Sequence, residues 1–323
     1  MGKSRGVVIL YEDLCDHWIR WAQEARITHL GVHKIAISGD GTVNSMESLL
    51  QALEKPEGRK YIHALENAGI TVEYELHSLS WLLPRKLIEK DKELFRLNKE
   101  GVRVSDMSFC PSNPLGYEII AQNAYELAKR LKQSSHNYFL WPDDVLHGEC
   151  SCEKCKANGY SGSDVGMLFA NAVAEGVKAY DSQAAEAYIA YADSKSVPRI
   201  QPADNVFLEF APMDRDHNQP MKDQKAGVEY IELLEALLKI FPAQTTHVLE
   251  YWLDNALYSG FKKPPVKVPL NTLVMDEDMK LYTSYGIEQV KSFGSYIDEE
   301  YYQLHNEPPV KAYGDILEKY IKT

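Results

Sequence analysis

The sequence is short of positive charge: 35 Lys and Arg stand against 47 Asp and Glu, a formal net charge of −12. The clustered cations that displace counterions along a nucleic acid are therefore missing, and a neutral or cationic ligand suits the balance better. No run approaches the roughly 18 uninterrupted apolar residues of a membrane span, so no membrane partner is expected. The first residues, MGKSRGVVILYEDL, are basic, but their apolar run breaks at Glu12 and Asp13 with no small-residue cleavage site, unlike a secretory signal. A Walker loop, a GxGxxG at a strand-to-helix turn and a GxSxG elbow are all lacking, which leaves nucleotide and serine-hydrolase chemistry without their usual scaffolds. Cysteine is sparse, five in 323 residues, and three of the five crowd into Cys150-Ser-Cys152-Glu-Lys-Cys155. That pattern reads as thiols or metal ligands rather than a disulfide ladder, and favours a reducing cytoplasm.

What is present points to one large core. The apolar share is 45% and the charged share 25%, ordinary for a globular chain. The length suits an α/β barrel, which commonly reaches about 250 residues or more as one domain. Eight apolar, β-branched or aromatic runs recur: Val7 to Tyr11, Lys34 to Ser38, Val72 to His77, Tyr138 to Trp141, Ala187 to Ala192, Val206 to Phe210, His247 to Trp252 and Gln289 to Tyr296. Helical periodicity falls between them at Cys15 to Arg26, Ser45 to Asn67, Pro114 to Gln133, Val165 to Tyr180, Val228 to Phe241 and Asp276 to Tyr285. The segments HLGVHKI, NAGITVEY and SYGIEQVKSF each place a helix-stop glycine directly before a strand. This alternation predicts an α/β fold, a single (β/α)8 TIM barrel over residues 1–298. Residues 299–323, with Pro308 and Pro309 inside, are expected to form a C-terminal helical extension of the same domain, packed across one barrel end.

Barrel enzymes keep their chemistry at the C-terminal ends of the strands. There the sequence places Glu75 and His77, then Trp141, Asp143 and Asp144, then Tyr191 and Asp193, Glu209, Glu250, Trp252 and Asp254, and Tyr296. Hydrolysis of a glycosidic bond needs a proton for the leaving oxygen and support for an oxocarbenium-like centre, a pair of tasks for two carboxyl groups. Asp143 and Asp144 are the candidate catalytic residues. His77, Glu209, Glu250 and Asp254 are candidate sugar ligands, and Trp141, Tyr191, Trp252 and Tyr296 offer flat faces for a sugar ring. Blander roles remain open: the two aspartates as loop caps, Glu209 and Glu250 as salt-bridge partners, the aromatics as core, His77 as a structural residue.

Cys150, Cys152 and Cys155 supply three soft ligands, enough for a structural zinc if Cys110 of FCPSNP, or alternatively His147, supplies the fourth. Reduced thiols without metal are the alternative. Four such ligands would close the coordination sphere, so no cofactor is expected to take part in catalysis.

The stretch running from HSLSWLLP through SFCPSNP and WPDDVLHGECSCEKC to FANAVAEGVKAY resembles a bacterial domain family of unknown function, DUF4838, whose barrels are related to glycoside hydrolases. YFLWPDDV is also similar to the strand-four segment of β-N-acetylglucosaminidases with an Asp-Asp pair. That likeness implies that Asp143 would orient and polarise a 2-acetamido group, whose oxygen is the nucleophile, and that Asp144 would be the general acid and base. Many of the unknown-function relatives have one acid here, matching Asp144, which leaves Glu209 or Glu250 as the second carboxylate.

The expected function is thus a glycoside hydrolase with a carbohydrate substrate, in the finer reading a β-N-acetylhexosaminidase using substrate assistance. Two other classes stay open. One is a carbohydrate-binding barrel without catalysis. The other is a metal-dependent sugar isomerase or lyase with His77, Glu209 and Glu250 as ligands.

Overall fold

The structure is a computed structural model that describes residues 2–34, 45–144 and 146–322, apart from the side chain of Ser45. Eight parallel strands form a closed barrel in sequence order: β1 (Ser4–Leu10), β2 (His29–Lys34), β3 (Thr71–His77), β4 (Asn137–Trp141), β5 (Ala185–Ala190), β6 (Val206–Phe210), β7 (His247–Glu250) and β8 (Gln289–Phe293). Strands covered on both faces need no polar side, so β1, β4, β5, β6 and β7 are buried along their whole length. The (β/α)8 expectation holds. Among the described residues, no helix is long and apolar enough to cross a membrane.

Several boundaries move. The second strand is His29–Lys34, ahead of the expected run, whose remainder from 35 to 38 lies outside the described residues. Gly31 is consequently a strand residue, and the left-handed position after the helix Asp16–Glu24 is taken by Arg26 at φ 53°. Gly69 and Gly286, at φ 82° and 83°, do stop helices as expected, in a region that costs a residue without Cβ nothing. The long helix expected over Ser45 to Asn67 is two, Ser45–Leu53 and Lys60–Asn67, parted at Pro56. β5, β7 and β8 end earlier than their apolar runs, so Tyr191, Trp252, Asp254 and Tyr296 all lie in loops.

The chain divides into two compact units. The first comprises Met1–His33, Ala52–Glu73 and Leu208–Thr323. In it β1 pairs with β2 and β8, and β7 pairs with β8. The C-terminal residues form two helices, Glu299–His305 and Val310–Tyr320. The second of these packs on β1 and on the helices Asp16–Glu24 and Thr272–Ser284. Buried Tyr313 donates its hydroxyl to Gly6 O at 2.6 Å, and Arg5 Nη1 donates to Ile321 O at 3.0 Å, anchoring this end of the chain to β1.

The second unit comprises Lys34–Gln51 and Tyr74–Phe207. Its register sets His77 of β3 beside Trp141 of β4. The helices Pro114–Arg130 and Gly162–Tyr180 start from strong caps. Asn113 accepts from Leu115 N ahead of Pro114, and Ser161 and Asp164 form a reciprocal capping box. They pack closely because Gly176 has no side chain: a Cβ there would lie 2.1 Å from Ala121 O. Gly176→Ala is therefore expected to push the helices apart and cost about 1–3 kcal/mol in urea unfolding, despite the better helix propensity of Ala.

Candidate functional site

Within the second unit, a cavity opens beyond the C-terminal ends of β3, β4 and β5. His77, Asp143, Gly148, Tyr191 and Asp193 line it, with Phe109 and Phe169 supplying apolar wall. His77 Nδ1 lies 2.6 Å from Pro142 O, and the ring meets Trp141 edge-on at 5.4 Å. That contact fixes the imidazole against the strand end. Tyr191 and Asp193 are half-buried. Asp193 Oδ2 accepts from Gly148 N at 3.3 Å and so ties the loop after β5 to the loop after β4.

The two neighbouring aspartates part company at Pro142. Asp143 turns inward: its Oδ1 accepts from Ser80 N at 3.2 Å, its Oδ2 from the Ser80 hydroxyl, and Arg85 Nη2 is 4.0 Å from Oδ2. Its side chain is 2% exposed. Asp144 is exposed and does not line the cavity. Trp141, one residue inside the strand end, is 1% exposed and belongs to the core. His147 is exposed at φ 59° and is not among the residues that cluster with the cysteines.

The remaining candidates belong to the first unit and are spoken for. Glu209 pairs with Lys291 at 2.9 Å, both buried. Glu250 receives Arg215 Nη2 on both oxygens at 2.9 Å, with the Tyr282 hydroxyl on Oε1 and His217 Nδ1 3.6 Å from Oε2. Burial pushes the Glu250 carboxyl up, but Arg215, His217 and Tyr282 together pull harder and hold it below the usual range. Arg215 also reaches Asp278 at 2.8 Å, and burial together with the Glu250 charge lifts Asp278 to about 6 against that pull. With each carboxylate already matched to a buried cation, the arrangement opposes a divalent ion on Glu209 and Glu250.

Trp252 points into the core and donates Nε1 to Asp278 Oδ2 at 3.3 Å. The strand ends at Glu250, two residues before it. Asp254 caps the helix Asn255–Tyr258, accepting from Ala256 N at 3.2 Å, and burial raises it to about 6. Tyr296, at φ 61°, donates its backbone N to Asp13 Oδ2 at 2.6 Å, and Lys263 Nζ stands 5.2 Å over its ring.

Asp13 is buried against this loop and does not line the cavity. Burial, with the Asp298 charge, pushes its carboxyl up to about 7, although the backbone N–H groups of Tyr296 and Leu10 pull the other way. An acid with a raised folded pKa contributes its stability below the unfolded value near 3.8 and loses it as pH climbs through about 7. Asp13→Asn should consequently raise Tm at pH 8 more than at pH 5, by calorimetry in both buffers. An equal shift at the two pH values would remove Asp13 from the linkage.

Arg215, Tyr282 and Ser80 carry no mark in the sequence of the contacts they make. Only Asp278 left a legible trace, as an acid on a helical face otherwise made of Val274, Met275, Met279 and Tyr282. Arg215 sits in the irregular segment PMDRDHNQP, where no periodicity marks a buried residue.

Three solved structures are similar to this chain, and two of them bear on its fold. The cellulose synthase subunit Z (CcsZ) of Clostridioides difficile is 8% identical with a TM-score of 0.50, covering 98% of this chain and 99% of its own. ZgEngAGH5_4, solved in complex with a cellotriose, is 10% identical with a TM-score of 0.50, covering 94% and 88%. A pneumococcal exo-β-D-N-acetylglucosaminidase, StrH, with tandem GH20 catalytic modules, is 11% identical over 100% and 85%, but its TM-score of 0.47 is too low to bear on the fold. No curated protein matches the sequence. Residues 45–313 match the family described as domain of unknown function DUF4838, and the chain belongs to that family.

Proposed function

We propose that the protein is a glycosidase working at the C-terminal ends of β3, β4 and β5, in which Asp144 is the general acid and base and Asp143 orients a substrate 2-acetamido group. The observation that carries this reading is the contrast between the two neighbours: Asp143 is buried on the cavity wall and held by Ser80, whereas Asp144 is exposed. Adjacent carboxyl groups in unlike surroundings can take unlike roles. A fixed carboxylate suits orientation, and a solvent-reached one suits repeated proton exchange.

In this scheme the acetamido oxygen attacks the anomeric carbon while Asp144 passes its proton to the departing glycosidic oxygen. Water then opens the cyclic intermediate as Asp144 takes a proton back, and Asp143 holds the acetamido N–H throughout. Protein and substrate supply every group, and no cofactor enters the chemistry. His77, Tyr191 and Asp193 are the sugar contacts within the cavity. A carbohydrate ligand is in keeping with ZgEngAGH5_4, which shares the fold and was solved with cellotriose.

The test is a screen of alkyl and oligosaccharide β-N-acetylglucosaminides, β-N-acetylgalactosaminides and glucuronides, whose leaving oxygens need a proton, with Asp143→Asn and Asp144→Asn alongside. Turnover that requires the 2-acetamido group and disappears in both variants is the expected result. Equal turnover of sugars lacking that group would reject substrate assistance, and full activity in Asp144→Asn would reject the site. One observation favours a second reading, a carbohydrate-binding barrel: both Asp143 oxygens are engaged by Ser80, as in a loop clamp. Sugar binding by titration calorimetry with no turnover of any glycoside would favour it.

A further inference from the structure

Four of the five cysteines converge from two distant stretches of the second unit. Cys110 lies just before the helix Pro114–Arg130, while the other three follow β4. Of these, Cys152 is the N-cap of the short helix Glu153–Asn158 and Cys155 lies one turn inside it. All four are buried, and their Sγ atoms lie within 4.8 Å of one another. Cys110 Sγ is 3.8 Å from Cys152 Sγ and 3.7 Å from Cys155 Sγ. A disulfide would need about 2.05 Å. A zinc–sulfur bond of about 2.3 Å, however, sets the edge of a regular tetrahedron at about 3.8 Å. The two Cys110 separations match that edge, and the remaining ones fall within 4.8 Å, close enough for one ion to draw all four thiols together.

The surroundings suit the negative charge of bound thiolates. Leu97 N donates to Cys150 Sγ at 3.2 Å, and Arg103 Nη1 lies 3.7 Å from the same sulfur. Arg103 is itself held by Phe95 O at 2.7 Å, and Ser112 Oγ is 3.0 Å from Cys155 Sγ. Such outer contacts orient metal ligands and disperse their charge.

We propose that Cys110, Cys150, Cys152 and Cys155 bind one zinc(II) ion in a closed tetrathiolate site, and that this ion pins one wall of the cavity beyond β3–β5. Each thiol that binds releases its proton to solvent. No coordination position is left for substrate, so the ion acts on structure alone. The wall consists of the residues that run directly into the ligands: Ser108 and Phe109 ahead of Cys110, Gly148 and Glu149 ahead of Cys150. Ser108 Oγ bridges the two segments by donating to Gly148 O at 2.6 Å. Arg85 Nη1, whose guanidinium faces Asp143, donates to Ser108 O at 2.8 Å. The ion thus holds the segments that hold Arg85. This assignment stands independently of any glycosidase activity, since its test reads metal and backbone exchange.

The experiment is elemental analysis of the full chain purified under reducing conditions with zinc supplied, followed by replacement with cobalt(II) and by hydrogen exchange of the zinc-loaded and chelated forms. Expected are one zinc per chain, the intense sulfur-to-cobalt charge-transfer and tetrahedral d–d bands of a tetrathiolate site, and loss of both in Cys152→Ser and Cys155→Ser. Cys15→Ser, at a buried thiol outside the cluster, should retain the metal. On chelation, exchange in residues 106–110 and 146–150 should rise by about tenfold or more, while the helix Thr272–Ser284 is unchanged. Substoichiometric zinc in the wild-type chain, stoichiometric iron in its place, or a cobalt spectrum without charge-transfer bands would overturn the site, whether or not the serine variants fold. Unchanged exchange in the two wall segments would overturn the pinning.

Discussion

Replacing Glu250 with Ala is expected to destabilise the protein by about 3–5 kcal/mol. Glu250 and Arg215 are both buried with side chains 0% exposed, so neither can recover hydration when the other is lost. Among the described residues the variant would leave Arg215 with Asp278 as its carboxylate partner, one acid where the buried guanidinium had two. It would also strip the Tyr282 hydroxyl, buried in the same cluster, of its acceptor. Urea unfolding at pH 7 measures the loss. The companion triple variant Glu250→Leu, Arg215→Met, Asp278→Asn removes all three charges of the cluster, and should cost less than the sum of its single changes, because an isolated buried charge is worse than none. If Glu250→Ala unfolds within about 1 kcal/mol of wild type, the carboxylate has a use other than holding this cluster together.

Turnover should fall about 10²–10⁴-fold in Asp144→Asn, the range lost when a positioned general acid is removed. The loss should depend on the leaving group. A nitrophenolate departs without a proton and should suffer little, whereas an alkyl or sugar alkoxide needs one and should suffer the full amount. Since Asp144 is exposed, its replacement should leave the unfolding free energy from urea titration within about 0.5 kcal/mol of wild type. Asp143→Asn differs on this point: it alters a buried side chain that accepts from Ser80 N and from the Ser80 hydroxyl, and should lose stability as well as activity. A drop in Asp144→Asn that is uniform across leaving groups would exclude a proton-donating role.

The barrel was legible because strand and helix periods repeat along the whole chain, and a one-residue error at any boundary leaves the count of eight intact. Where local signals failed, another residue met the same physical need. Arg26 rather than Gly31 takes the left-handed turn after the first helix, held by Arg5 Nε on its carbonyl at 2.9 Å. The candidate site was legible in part. His77, Asp143, Tyr191 and Asp193 line one cavity as their strand-end positions predicted, and the four cysteines converge with Cys110 rather than His147 as the fourth.

The sequence by itself determined the parallel barrel, the placing of acids and aromatics at strand ends, and the gathering of three cysteines within six positions, because each is written in local spacing. Tertiary structure alone decided which partners each acid meets. Glu209 and Glu250 look like Asp143 on a sequence row, yet the first two are matched by Lys291 and Arg215, cations carried by other elements, while Asp143 meets Ser80 at the cavity wall. A buried carboxylate takes its role from whichever cation or N–H the fold brings within about 3 Å, and that partner is set by three-dimensional closure rather than by the neighbours along the chain.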